Sequence, residues 1–258
     1  MLQLTREFAS GQAAKEAKEL IDRSAFLDAA ELLKGQAFSK SKHADFFKLI
    51  SKAVDGRSGH YFQPRSFHDA LLALNPSIIV TTNYDSILER ASKNGYRVKT
   101  YKDDDVGYDI RTGTPILLKI HGSVDAQQKL ILTRSDYSSI RLDGARALEV
   151  FQALLLTKTS LFVGYSFSDP DIQLLLENNF GSRGDAGAHY LLCEKGMPTY
   201  QAAVLGSSYG TSPIYHAAGD FAEAERMLFL LGELATAFEV RYGPVPSLRN
   251  KSACSACF

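Results

Sequence analysis

The sequence predicts an α/β fold built on a mostly parallel sheet with helices on both faces. Three observations carry that prediction. Short apolar runs alternate with segments of helical periodicity, the pattern of parallel strands joined by helices. Three of the runs, "SIIVTT" (77–82), "ILLKIHG" (116–122) and "SLFVGYS" (160–166), are apolar on both faces, as buried parallel strands are. Each of the three ends in polar or small residues.

The elements follow in order. "QAAKEAKELIDRSAFLDAAELL", within 12–34, is rich in strong helix formers with Ala, Leu and Ile at helical spacing. "ADFFKLISKAV" (44–54) and "FHDALLAL" (67–74) predict two more helices, and Pro76 allows a change of direction. Residues 77–82, 116–122 and 160–166 are expected as central strands, with "KLILT" (129–133), "HYLLCE" (189–194) and "SPIYHA" (212–217) completing the set. Helices are expected at 85–94, about 143–158, about 170–178 and 220–238. "DDDVGYD" (103–109) reads as a solvated acidic loop, and residues 241–258 as an irregular tail.

The bulk composition narrows the function classes. The 258 residues carry 29 Lys+Arg and 29 Asp+Glu, so no excess of charge points to a nucleic-acid or membrane surface. No apolar run approaches the ~20 residues of a membrane span, and the N-terminus lacks the apolar core of a signal peptide. Three cysteines, two of them in the last five residues, make no disulfide framework, so a reducing, cytoplasmic setting is expected. Cys254 and Cys257 form a single C-x-x-C with no second pair to complete a structural zinc. Cys193, in an apolar strand, reads as a small core residue.

The strand ends hold the candidate site. "VTTNYDSILERA" (80–91) passes from core strand to helix through Thr-Thr-Asn-Tyr-Asp. Asn83 or Asp85 could cap the helix, but one residue suffices for that. In an open parallel sheet, ligands bind beyond the carboxyl ends of the strands. Parallel strands would gather Asn83, Asp85, His121, Gly122, Gly164 and Ser166 in one crevice. Asn83 offers both a donor and an acceptor, suited to a water or a ribose hydroxyl. Imidazole changes protonation near neutral pH, which makes His121 the natural proton acceptor, although a lone histidine is more often a satisfied core residue. Gly164 permits close backbone approach. The N–H groups of the helix after "GYSFSDPDI" suit a phosphate or hydroxyl, and Asp169 and Pro170 also read as its N-cap and first residue. His60, His68, His189 and His216 lack such a setting and read as surface or packing residues.

"TTNYD", "KIHGS" and "LFVGYSFSDPDI", in that order, resemble the bacterial SIR2-like domains, a sirtuin-related family, over residues 67 to about 180. The resemblance implies a Rossmann-like sheet and NAD as ligand and substrate. It implies Asn83 at the nicotinamide ribose and His121 as general base. Thr82, Tyr84, Asp85, Gly122, Gly164 and Ser166 would then line the cofactor site. Many such proteins hydrolyse NAD to starve phage-infected cells, with a second copy of the chain or another defence protein as partner. Residues 122–192 contain no cysteine, which excludes the four-cysteine zinc module of classical sirtuins and argues against deacetylation. Family members begin with a strand and a Gly-Ala-Gly-x-Ser loop that cradles the pyrophosphate. Here "MLQLTREF" reads as the helix after that loop, and the first glycine, Gly11, lies in helical sequence. The expected organisation is therefore a SIR2-like domain over 1–240, without its first strand and phosphate loop and with a helical insertion at 12–74. On that reading NAD turnover is poor, and the alternative is a non-catalytic module that binds a nucleotide or a partner.

Overall fold

The computed structural model describes residues 1–143, 145–180 and 189–242. They divide into two compact units, one of residues 1–64 with 77–148, the other of residues 65–76 with those from 149 onward.

The first unit opens with four helices: α1 (Leu2–Phe8), α2 (Gly11–Asp22), α3 (Phe26–Ser39) and α4 (His43–Asp55). Their inward positions are large and apolar. Phe8, Leu33, Phe46, Phe47 and Ile50 pack with Ala17 and Ala37 into one cluster. Burying each large side chain contributes about 1.5–3 kcal/mol, enough to hold helices too short to stand alone. A small antiparallel hairpin follows, β1 (Gly56–Arg57) with β2 (His60–Tyr61). Gly56 is required there: its φ is +91°, and a Cβ would lie 2.5 Å from the His60 carbonyl oxygen.

The chain contributes α5 (Ser66–Ala73) to the second unit and returns with β3 (Ile78–Thr81), α6 (Ile87–Ser92), β4 (Arg97–Thr100), α7 (Val106–Thr112) and β5 (Ile116–Lys119). The three strands form a parallel sheet in the order β3-β5-β4. β5 is central and wholly buried, which its Ile-Leu-Leu run foretells. A 3₁₀ helix (Val124–Lys129) and α8 (Arg134–Asp143) complete the unit, and its boundary falls within α9 (Ala145–Thr157).

The second unit continues with β6 (Leu161–Val163), α10 (Pro170–Phe180), β7 (His189–Glu194), α11 (Thr199–Tyr209), β8 (Thr211–His216) and α12 (Phe221–Tyr242). Its sheet is also parallel, in the order β6-β7-β8. Ala70, Leu192, Ala224 and Leu228 form its core, with Phe67, Leu74, Leu161 and Val163 packed against them. Parallel strands flanked by helices make this an α/β, Rossmann-like fold.

Four expectations are corrected. Residues 77–82 and 160–166 were expected as central strands; among the described residues β3 and β6 each pair on one side only and are half-buried. Only the first part of residues 103–109 is a solvated loop, with Asp104 and Asp105 exposed. Val106 starts α7, and Asp109 is fully buried against Arg97 and Lys99, so those two cations outweigh the local acidity. "KLILT" is not a strand, because Lys129 ends the 3₁₀ helix and Ile131 gives its N–H to the His121 carbonyl instead of a ladder. β4 and α11 carried no clear periodic signal and were not anticipated. α12 runs on to Tyr242, past the expected start of the tail. Cys254, Cys257 and the rest of the tail from 243 lie outside the described residues. Cys193 is half-buried in β7, and burial raises its thiol pKa. No described helix is long and apolar enough to cross a membrane.

Candidate active site

The β3–β5 register builds the first part of the site. Thr81 stands opposite Lys119 in parallel strands. Asn83 and His121 are each two residues further on, so both lie past the same carboxyl end of the sheet. Ile120 donates to the Thr81 carbonyl at 3.1 Å, carrying the pairing one step beyond the strands.

The two loops are stitched together. Val124 donates its N–H to the Tyr84 carbonyl at 3.0 Å. The Tyr84 hydroxyl donates to the Ile131 carbonyl at 2.6 Å, and Ile131 in turn donates to the His121 carbonyl at 3.0 Å. Gly122, with φ of +86°, makes the sharp turn that returns the chain after His121.

Each expected residue can now be placed. Asn83 is exposed, and its own N–H is taken by Thr81 Oγ1 at 3.0 Å. Thr82 and Tyr84 are half-buried beside it. Asp85 Oδ1 accepts the Ile87 N–H at 3.0 Å, an Asx turn just ahead of Ser86, the N-cap of α6. His121 is only 6% exposed. Its ring meets Tyr137 edge-on at 5.3 Å between centroids and Tyr84 at 6.4 Å. Its Nε2 lies 3.5 Å from the Tyr137 hydroxyl.

In the second unit, Gly164 and Ser166 stand just past the carboxyl end of β6, both exposed. Gly164 has φ of +62° and open space where a Cβ would sit. Ser166 Oγ lies 2.7 Å from Ser168 Oγ. Asp169 caps α10 as expected: its Oδ1 accepts the N–H groups of both Asp171 and Ile172 at 3.0 Å. Those helix-start amides, expected to suit a phosphate, are therefore already taken, and the capping carboxylate would repel an anion. Gly164 and Ser166 are what remains of the expectation in this loop.

Lys119, Ser123 and Tyr137 escaped the sequence reading. Lys119 is fully buried and reaches Glu89, Ser123 and two backbone carbonyls. A lysine at the end of an otherwise apolar strand was the signal available for it. Tyr137 left none, because only the fold brings α8 to His121. Among the described residues, no group of three His, Cys, Asp or Glu side chains could hold a metal ion.

The SIR2-like domain family model matches residues 77–229, which span both parallel sheets. The NAD(+) hydrolase ThsA of Enterococcus faecium is 31% identical over 164 residues, covering 61% of this chain and 34% of that protein. ThsA of Acinetobacter baumannii is 29% identical over 131 residues, 50% of this chain and 27% of its own length. Defense-associated sirtuin 2 of Bacillus subtilis is 29% identical over 133 residues, 48% of this chain and 13% of its own. The chain spans about a third or less of the length of these relatives. With a family match across more than half of its residues, the chain belongs to the SIR2-like domain family.

Proposed function

We propose that the chain is an NAD hydrolase module that cleaves the bond between nicotinamide and ribose, acting in anti-phage defence inside the cell. The observation that carries the reading is the β3–β5 register, which sets Asn83 and His121 equally far beyond one sheet end. The names of the relatives support the substrate.

The chemistry asks little covalent work of the protein. In NAD the nicotinamide carries a positive charge. It leaves as a neutral molecule, taking the electrons of the C1′–N bond. Water adds at C1′ and loses a proton, giving ADP-ribose. Asn83 holds the water or the ribose hydroxyl, and His121 takes the proton. Thr82, Tyr84, Asp85 and Gly122 shape the surrounding wall. Positioning can supply about 7–11 kcal/mol of the barrier, and a general base about 10²–10⁴-fold in rate. A second copy of the chain or another defence protein is the proposed partner.

One observation favours a second reading, a non-catalytic nucleotide- or partner-binding module. His121 is nearly enclosed by Tyr84 and Tyr137, as a packing histidine would be. Nicotinamide release by the purified chain separates the two. Under the first reading Asn83→Ala and His121→Ala each lower the rate by about a hundredfold or more, while NAD binding by calorimetry falls much less. NAD binding with no release by the unaltered chain would establish the second.

A further inference from the structure

We propose that Lys119 is a positioning residue whose buried side chain fixes the loop carrying Asn83 to the turn carrying His121. The proposal rests on the reading of those two residues as the NAD-cleaving pair.

Lys119 ends β5, one residue before Ile120 and two before His121, and is 0% exposed. Its Nζ lies 2.5 Å from the Asp85 carbonyl oxygen and 3.3 Å from that of Tyr84. It also lies 2.7 Å from Glu89 Oε1 and 3.2 Å from Ser123 Oγ. One ammonium thus meets the loop after β3, the first turns of α6 and the turn after β5. Three N–H groups face four acceptors, so the two longer contacts share a donor. Tyr84 and Asp85 directly follow Asn83.

The residue type is informative. β5 is otherwise Ile-Leu-Leu, and an apolar side chain could fill this last position without the cost of desolvating an ammonium. Glu89 offsets the charge but does not account for the two carbonyls. Those carbonyls turn inward immediately past Asn83. The Tyr84 carbonyl keeps the Val124 N–H, but without Lys119 the Asp85 carbonyl would turn toward water and draw the loop that carries Asn83 with it. A misplacement near 1 Å costs on the order of a hundredfold in rate. Lys119 touches neither reacting atoms nor solvent, so it acts only through the loops it holds.

The test uses three variants of the 258-residue chain. Lys119→Met keeps the apolar stem but strands the Glu89 carboxylate. Lys119→Met with Glu89→Gln removes that stranded charge and should restore thermal stability. Turnover should stay low in this double variant: kcat for nicotinamide release falls about a hundredfold while KM for NAD moves little. Glu89→Gln alone leaves the ammonium on both carbonyls and should keep kcat within about twofold. A double variant of restored stability and full kcat would overturn the proposal. So would a loss of tenfold or more in Glu89→Gln alone, which reads out even where the lysine variants fail to fold. Hydrogen exchange supplies an arm independent of activity. Amides of residues 84–87 and Val124 should lose protection in the double variant while α3 keeps its own. If the unaltered chain releases no nicotinamide, the functional reading fails, and the exchange decides the anchoring: unchanged protection at these amides refutes it.

Discussion

Asp55 shows how much one residue can organise without any local sign of it. It ends α4 nearly buried, accepts the Ser86 N–H at 3.0 Å, and takes the Arg90 guanidinium on both oxygens, at 3.2 and 2.6 Å. Arg90 also donates to the Phe62 carbonyl at 2.7 Å, so the hairpin after α4 is held to α6. Burial pushes the Asp55 pKa up, but the Arg90 and Ser86 hydrogen bonds and the neighbouring positive charges outweigh it, and the net shift is down. A carboxyl lowered in the folded chain stabilises it fully above the unfolded value of ~3.9 and loses that contribution as pH falls below it. Asp55→Asn should therefore cost about 1.5–3 kcal/mol at neutral pH, the worth of a hydrogen bond to a charged group. The gap between variant and parent should shrink below about pH 4. Urea unfolding at pH 7 and pH 3 checks both points, and an equal gap at the two pH values would contradict the assignment. Asn83 and His121 were legible because their residue types are unusual at strand ends. Asp55 and Tyr137 were not, because their partners lie 35 and 16 residues away in the chain.

At the scale of elements, boundaries follow local chemistry and pairings follow packing. α8 begins with a reciprocal cap written in "TRSD": Asp136 donates its N–H to Thr133 Oγ1 at 3.2 Å and accepts the Thr133 N–H at 3.0 Å. The same stretch fastens to α3 through Arg134 to Asp28, Ser135 to Glu31, and Asp136 to Lys34. The three α3 partners are spaced three residues apart, close to one helical turn, which a helical wheel displays but does not pair with anything. The α5–α12 contact is equally silent in sequence. Gly232 sits inside α12, where alanine would ordinarily gain about 1 kcal/mol of helix propensity. A Cβ there would meet the Ala73 carbonyl oxygen at 2.6 Å, a backbone atom that cannot swing aside. Crowding should win, and Gly232→Ala should destabilise the chain by about 1–3 kcal/mol. A higher melting temperature for that variant would show that the two helices separate freely.

Over the whole molecule, 29 positive and 29 negative side chains leave no net charge. Binding to duplex DNA through its phosphates needs an excess of cations, so a fluorescent duplex at physiological salt should bind with Kd weaker than about 10⁻⁴ M. Tighter, salt-sensitive binding would reveal a basic face that the total conceals. Fold class was within reach of the sequence, because a strand buried on both faces must be apolar throughout and a helix must repeat every 3.6 residues. Hence β3, β5, β6, β7 and β8 were located within a few residues. The candidate residues were equally readable, since Asn, His, Gly and Ser stand out where an apolar run stops. Among the described residues, the tertiary structure alone decided strand order, the one-sided pairing of β3 and β6, and the burial of Val106 and Asp109 in a helix that starts inside the acidic stretch. It alone decided that Lys119 lies beneath the Asn83 loop and that Tyr137 reaches His121. The physical reason is range. Periodicity and capping act over a few residues of chain, whereas hydrogen bonds, ion pairs and close packing act over a few ångströms of space, whatever the separation along the chain.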